Sequence, residues 1–235
     1  MDSFPNPHPR YTLLFNVWVL TNDQKKMTKG KHQAWNKGLK VGKRQPFSPS
    51  DVSSIRKLLA KRGDAGLRDL ALFSTAMDTM LRASDLVGLT VQDVRKRNRV
   101  MRETFEVEIS TSGKSVQCIL SKRTISLLEK WINQTGKKPR DYLFTRRTGD
   151  KSAAMSTRQV SRLVKTCAGD IGLDPDSFGT GSLRRTRATH LLNRTGNVEA
   201  IRILLGLTSI GATAQYLGDS MVVDDALEVS RAYLI

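Results

Sequence analysis

A chain of 235 residues with 39% hydrophobic content, seven Phe and three Trp can furnish the core of one sizeable domain plus an arm, or of two small domains, which argues against global disorder. Its 39 Lys and Arg against 22 Asp and Glu leave a net charge of +17 and a pI near 10.3, a surplus that favours a polyanionic partner, nucleic acid being the commonest. Cys118 and Cys167 are far apart and in no CxxC spacing, and His8, His32 and His190 form no cluster, so neither a disulfide framework nor a metal site is expected.

The apolar run from Tyr11 to Leu20 is too short to span a membrane, and no small-residue cleavage site follows it. It reads as a short strand or helix. Alternatively, because Met27 opens a more typical basic start, residues 1–26 are an upstream extension. From Lys25 to Arg44 there are eight Lys or Arg and no acid, with Gly30, Gly38 and Gly42 interspersed. Residues 1–46 therefore read as a basic, flexible arm that orders on binding, with Lys29, Lys31, Lys37, Lys40, Lys43 and Arg44 pairing with phosphates. Trp35, inside that stretch, either stacks against DNA or anchors the arm to its own domain.

Pro46 and Pro49 bracket a boundary, and residues 47–235 form the expected second region. Ser48 or Ser50 caps a helix whose apolar face carries Val52, Ile55, Leu58 and Leu59, and the stretch from Gly63 to Gly66 breaks it. Residues 67–81 are apolar on several faces and predict a buried helix, followed by a short helical turn over 85–89. Residues 105–109 and 116–120 flank Ser112-Gly113 as a hairpin. Helical spacing returns over 124–134, 156–168, 182–194 and 198–205, with Gly196 and Gly206 as stops, and residues 224–233 predict a last helix. The fold class is α+β, mostly helical, with one small antiparallel sheet. Basic clusters in the connections (Arg95, Lys96, Arg97 and Arg99; Lys137, Lys138 and Arg140; Arg146 and Arg147) suit phosphate tracking along a duplex without reading bases.

The chemistry concentrates in three segments: Leu81-Arg82-Ala83-Ser84-Asp85-Leu86, then Ser182-Leu183-Arg184-Arg185-Thr186, then Tyr216, 32 residues beyond Arg184. Paired arginines can clamp a phosphate bidentately, and a tyrosine hydroxyl can attack it. Asp85, three residues after Arg82, is expected to orient it from the same helical face, and Arg185 to be a further phosphate donor. His190 lies six residues beyond Arg184, about 240° round a helix, and is expected on another face.

These segments, with the hairpin between the first two, resemble the catalytic domain of the tyrosine recombinases, the phage-integrase family, over roughly residues 47–235. The Trp35-Asn36-Lys37-Gly38 arm and Asp224-Asp225-Ala226-Leu227 are similar to a subgroup of short integrases that lack the usual core-binding domain. The resemblance implies duplex DNA as partner and a transesterification in which Tyr216 joins a 3′ phosphate and releases a 5′ hydroxyl, with no cofactor and no metal. It also implies a dimer on each site and a tetramer on paired sites, in the cytoplasm on nucleoid DNA. Three family positions are substituted: the hairpin lysine falls on Thr111, the histidine of the second box on Gly181, and the histidine or tryptophan after Leu204-Leu205-Gly206 on Leu207. None of the three exchanges protons near neutral pH, and general acid–base help is worth about 100 to 10,000-fold. Lys114, across the turn from Thr111, is the candidate substitute for the acid, provided that it reaches from the other side of the turn. Reduced activity is the expectation. The alternative is a catalytically degenerate recombinase that binds DNA as an accessory factor of a mobile element, against which stands the retention of Tyr216, Arg82 and Arg184. A basic RNA-binding protein has only the charge in its favour.

Overall fold

The computed structural model describes residues 44–218, apart from 148, 149 and 151. The expected arm, with Lys29, Lys31, Trp35, Lys37, Lys40 and Lys43, and the expected helix over 224–233 lie outside the described residues.

Helix α1 (Pro49–Lys61) starts where its sequence says it should: the Ser48 hydroxyl accepts from the Asp51 amide, the Asp51 carboxylate accepts from the Ser48 amide, and Pro49 fills the first turn. It buries Val52, Ile55 and Leu59. The chain reverses at Arg62 and Gly63, the latter at φ +56°, and α2 (Asp64–Thr79) follows at once. The expected break through Gly66 is therefore a helix start. Gly66 serves a close approach instead, since a Cβ there would stand 2.2 Å from the Leu59 carbonyl oxygen. Helix α2 is buried along almost its whole length, from Leu67 to Met77, and forms the centre of the main core. It ends two residues earlier than its apolar pattern predicts, because Met80 turns left-handed at φ +52°.

Two short helices follow, α3 (Ala83–Gly88) and α4 (Val91–Val94), the second capped reciprocally by Thr90 and Asp93. Strands β1 (Thr104–Glu108) and β2 (Ser115–Ile119) pair antiparallel with Phe105 opposite Cys118 and Val107 opposite Val116. Their alternation puts Phe105, Val116 and Cys118 into the core and leaves Glu106 and Glu108 exposed. Gly113, at φ +63°, closes the turn, its amide donating to the Ile109 carbonyl. Helix α5 (Lys122–Thr135) is capped by Ser121 and stopped by left-handed Gly136; α6 (Thr157–Asp170) is capped by Ser156 and Gln159. A 3₁₀ turn over Pro175–Ser177 leads into α7 (Thr180–Thr195), then α8 (Val198–Leu204) and α9 (Ile210–Leu217), with Gly196 and Gly206 as left-handed stops.

Residues 44–47 are fastened to the start of α7. Arg44 donates to the Asp176 carbonyl, Gln45 to that of Ser177, and Phe47 stacks on Phe178 with ring centres 4.3 Å apart. His190 lies on that side too, its Nε2 3.0 Å from the Phe47 carbonyl oxygen, away from Arg184's partners as the helical angle requires. A second, smaller core joins Met80 to Ala188 of α7, Ile201 and Leu205 of the α8 region, and Leu217 of α9. Leu207 and Tyr216 pack against it. Among the described residues no helix is long and apolar enough to cross a membrane, and no group of three His, Cys, Asp or Glu could hold a metal ion.

Candidate active centre

The first component is the turn of the hairpin. Arg82 is exposed and sits just outside α3 with extended backbone (ψ 153°), and its Nη1 donates to the Thr111 hydroxyl. Because Arg82 precedes the helix, the three-residue spacing to Asp85 does not place the two side chains on one helical face. Asp85 is buried and serves the turn instead: its Oδ1 accepts from the Ser110 hydroxyl at 2.6 Å and the Ser110 amide at 3.2 Å. The expected role of Asp85 as the orienter of Arg82 is thus replaced by one in which it holds the residue next to Thr111. Lys114 stands on the same turn, exposed, its amide 3.4 Å from the Ser112 hydroxyl.

The second component is the first two turns of α7. Ser182 and Thr186 are fully buried; Ser182 Oγ accepts from the Gly179 amide, and Thr186 donates to the Ser182 carbonyl while accepting from the Phe47 amide. This fixes the helix, and Arg184 then reaches Met80 and Leu205 of the second core. Its Nη1 donates to the Met80 carbonyl at 2.8 Å and its Nη2 to the Leu205 carbonyl at 2.6 Å. A guanidinium has five N–H groups, so three remain, and the Tyr216 side chain is one further partner for them. Gly181, in the preceding turn, is exposed, and a Cβ there would meet nothing within 4 Å.

The third component is Tyr216, one residue before the end of α9. The Arg184 guanidinium lies 5.8 Å from its ring centre and that of Arg185 4.8 Å, and Arg185 also donates to the Tyr216 carbonyl. Arg185, read as a further phosphate donor, is therefore occupied with the tyrosine in this structure. Burial pushes the Tyr216 phenol above its ordinary range, against the opposing pull of Arg184, Arg185 and, more weakly, Arg82. Arg184 is in turn lowered, chiefly by burial and also by Arg82, with Tyr216 and Asp85 opposing. The structure thus brings Arg82, Arg184, Arg185 and Tyr216 together around one centre, with Thr111 and Lys114 on the adjoining turn. Leu207 takes the position after Gly206 as an apolar contact of the second core.

Gly206 couples the last two components to the hairpin. It is at φ +62°, and a Cβ there would stand 2.8 Å from Cγ2 of Val116 in β2. The cysteines offer no rival nucleophile: burial pushes the Cys118 thiol up to about 12 and the Cys167 thiol up to about 11.

Other predicted contacts fall elsewhere. Arg44 is exposed but tied to the Asp176 carbonyl. Arg95 donates to Asn133 Oδ1 at 3.3 Å, and with Arg97 lines a groove at the end of the hairpin away from Thr111. Arg147 donates to buried Asp69 at 2.9 Å and to the Ala65 carbonyl, and Arg146 to that of Ala154, so this pair braces the domain. Ser110, and the carbonyls of Met80 and Leu205, were missed by sequence reasoning. Only Ser110 had a signal, a short hydroxyl beside the turn.

A family model described as "Phage integrase family" matches residues 47–221. The chain belongs to that family. Curated relatives of this integrase-family chain include the Tyrosine recombinase XerD of Vibrio vulnificus, 30% identical over 156 residues that cover 64% of this chain and 48% of the relative. The XerD of Pseudomonas aeruginosa is 28% identical over 184 residues, 75% of this chain and 58% of that one. The chain spans about half the length of the curated relatives it matches. Among solved structures, the XerH site-specific recombinase bound to palindromic difH substrate superposes with a TM-score of 0.63 at 18% identity, over 81% of this chain and 53% of that one. The Tn1549 transposon integrase in complex with circular intermediate DNA gives 0.62 at 18% identity, over 91% and 75%. Identities this low establish the integrase fold of the described domain, mostly helical with its small antiparallel sheet.

Proposed function

We propose that this chain binds duplex DNA and acts as a site-specific recombinase or integrase, cutting and rejoining strands through Tyr216 at a reduced rate. One observation carries the reading: the Tyr216 phenol lies against the guanidiniums of Arg184 and Arg185, within the electrostatic reach of Arg82. Tyr216 Oη attacks the phosphorus, the bond to the 5′ oxygen breaks, and a 3′-phosphotyrosyl link forms. The phenol proton leaves to solvent, and the departing 5′ oxygen takes a proton from Lys114 or water. Arg82 and the free N–H groups of Arg184 neutralise charge that grows on the non-bridging oxygens in the transition state. The bond energy is kept in the phosphotyrosine, so rejoining calls for no nucleotide or other external energy source. Rejoining across two sites calls for a dimer on each and a tetramer in synapsis, on nucleoid DNA in the cytoplasm. The DNA complexes among the structural neighbours support the partner class.

Thr111, Gly181 and Leu207 lower the expected rate, since none supplies a proton or a charge. A second reading has its own support. Arg184 is bound to two backbone carbonyls, so a purely structural need accounts for it, and a DNA-binding accessory factor without strand exchange could carry it unchanged.

The test is a duplex with a 5′-bridging phosphorothiolate, whose sulfur leaving group needs little protonation. A covalent adduct with the wild type and none with Tyr216→Phe is the expected result. Binding without an adduct on this substrate would overturn the cleavage reading in favour of the accessory one.

A further inference from the structure

A groove in the described domain lies away from Tyr216. It has a volume of about 1150 Å³ and runs between the α4–β1 connection and the C-terminal end of α5. Five cations line one wall, in the stretch from Arg95 to Arg102, and Lys137, Lys138 and Arg140 line the other. Two carboxylates are present, and both are engaged by the backbone: Asp93 accepts from the Thr90 amide at 2.7 Å, Asp141 from the Lys138 amide at 2.7 Å. Among the described residues, none of the eight cations has a carboxylate within the 4.0 Å of an ion pair, although six such pairs form elsewhere. Two facing basic walls that carry eight cations against two carboxylates leave a surplus of positive charge suited to an external polyanion.

The groove does not continue into the active centre. The strand β1 lies between them, roughly 17 Å of extended chain. Along it a smaller recess of about 290 Å³ carries Asp85, Asp93, Glu106 and Glu108, and it reaches from Asp93 at the edge of the groove to Ser110 beside Thr111. Glu106 and Glu108 are exposed. A duplex lying over Tyr216 and extended into the groove would set its phosphates against these carboxylates.

We propose that the groove is a second DNA site, which holds a duplex segment other than the one at Tyr216. The proposal rests on the reading of the chain as a DNA-handling protein, and is independent of whether Tyr216 cuts. The walls hold phosphates and read no bases, so the site takes any sequence and its occupancy falls steeply with salt: six or more neutralised phosphates imply a loss of about a thousandfold or more between 50 and 200 mM.

The experiment uses the full chain on a bead-bound biotinylated duplex and measures capture of a second, fluorescent duplex. The variant is Lys96→Gln, Arg97→Gln, Lys138→Gln and Arg140→Gln combined, at exposed positions whose side chains have no hydrogen-bond or ion-pair partner among the described residues. It is expected to bind the first duplex within about threefold of wild type while capturing the second at least tenfold less. Tyr216→Phe is expected to capture as wild type does, which separates this result from the fate of the cleavage reading. Unchanged capture by the groove variant would assign bridging to protein–protein contacts and overturn the proposal. An equal loss of first-duplex binding would make the groove part of a single footprint, and preferential capture of an RNA hairpin would reassign the ligand. Either result also overturns it. Circular dichroism of the variant separates a folding defect from a binding one, and an analogous variant with Lys138→Gln and Arg140→Gln alone keeps the test open if the first does not fold.

Discussion

The Arg185 guanidinium stacks 4.8 Å from the centre of the Tyr216 ring and donates to the carbonyl of the same residue, so one side chain both positions the proposed nucleophile and opposes the burial that keeps it protonated. Burial is the larger influence, and the phenol stays above its ordinary value of 10.0. The phenolate fraction therefore rises about tenfold per pH unit throughout the range from 7 to 9.5. Adduct formation on the phosphorothiolate duplex should show that slope with no plateau, and Arg185→Ala should lower the rate at every pH by removing one of the opposing charges. A plateau near pH 7 would reveal a base other than solvent.

Gly181 marks a place where chemistry can be added. It is exposed in the first turn of α7, and a Cβ there meets nothing within 4 Å. Gly181→His should fold normally and raise the adduct rate by about 100-fold or more, within the range that general acid–base help supplies. The measurement is the single-turnover rate with Arg184 and Tyr216 intact.

Lys114 is separated from the other candidates by what it does to the leaving group. If it protonates the departing oxygen, Lys114→Ala should slow cleavage of an ordinary oxygen-bridged duplex by about 100-fold and leave the sulfur-bridged one nearly unchanged. Equal effects on both substrates would make Lys114 a DNA-binding residue.

The Gly206–Val116 contact predicts stability rather than rate. Gly206→Ala places a Cβ at left-handed φ and 2.8 Å from Val116 Cγ2, so the loss should be about 1–3 kcal/mol, with the larger end if the backbone cannot shift. Denaturant unfolding should show a lower midpoint with an unchanged slope. Adding Val116→Ala should restore part of it, because the clash is with a side chain.

Much of this arrangement is legible in the residues alone. Ser48, Pro49 and Asp51 start α1 as local chemistry dictates, Gly113 closes the hairpin, and Gly196 and Gly206 stop their helices left-handed. The order of Arg82, Arg184 and Tyr216 likewise brings them to one centre. What stayed hidden depends on contacts between distant segments. Met80 ends α2 early with left-handed backbone, and its carbonyl accepts from Arg184, 104 residues on. Gly66 looked like a breaker because its value lies in the space it leaves for the Leu59 carbonyl. Asp85 was assigned to Arg82 by helical spacing, yet Arg82 lies outside the helix and Ser110 comes within reach only when the hairpin folds back. Helix α9 buries only Thr213 and Leu217, so no apolar stripe announces it.

Arg184 ties the Met80 and Leu205 carbonyls together across the second core, whereas Thr111 and Gly181 face outward. Replacing Arg184 removes a charge and unfastens two strands of architecture in the same step, so an inactive Arg184 variant is uninformative about phosphate chemistry. Changes at the outward positions leave the interior untouched. In this scaffold, then, the solvent-facing rim can change while the interior keeps its packing, so on the reading proposed above a chain that cuts and one that does not would share the same interior.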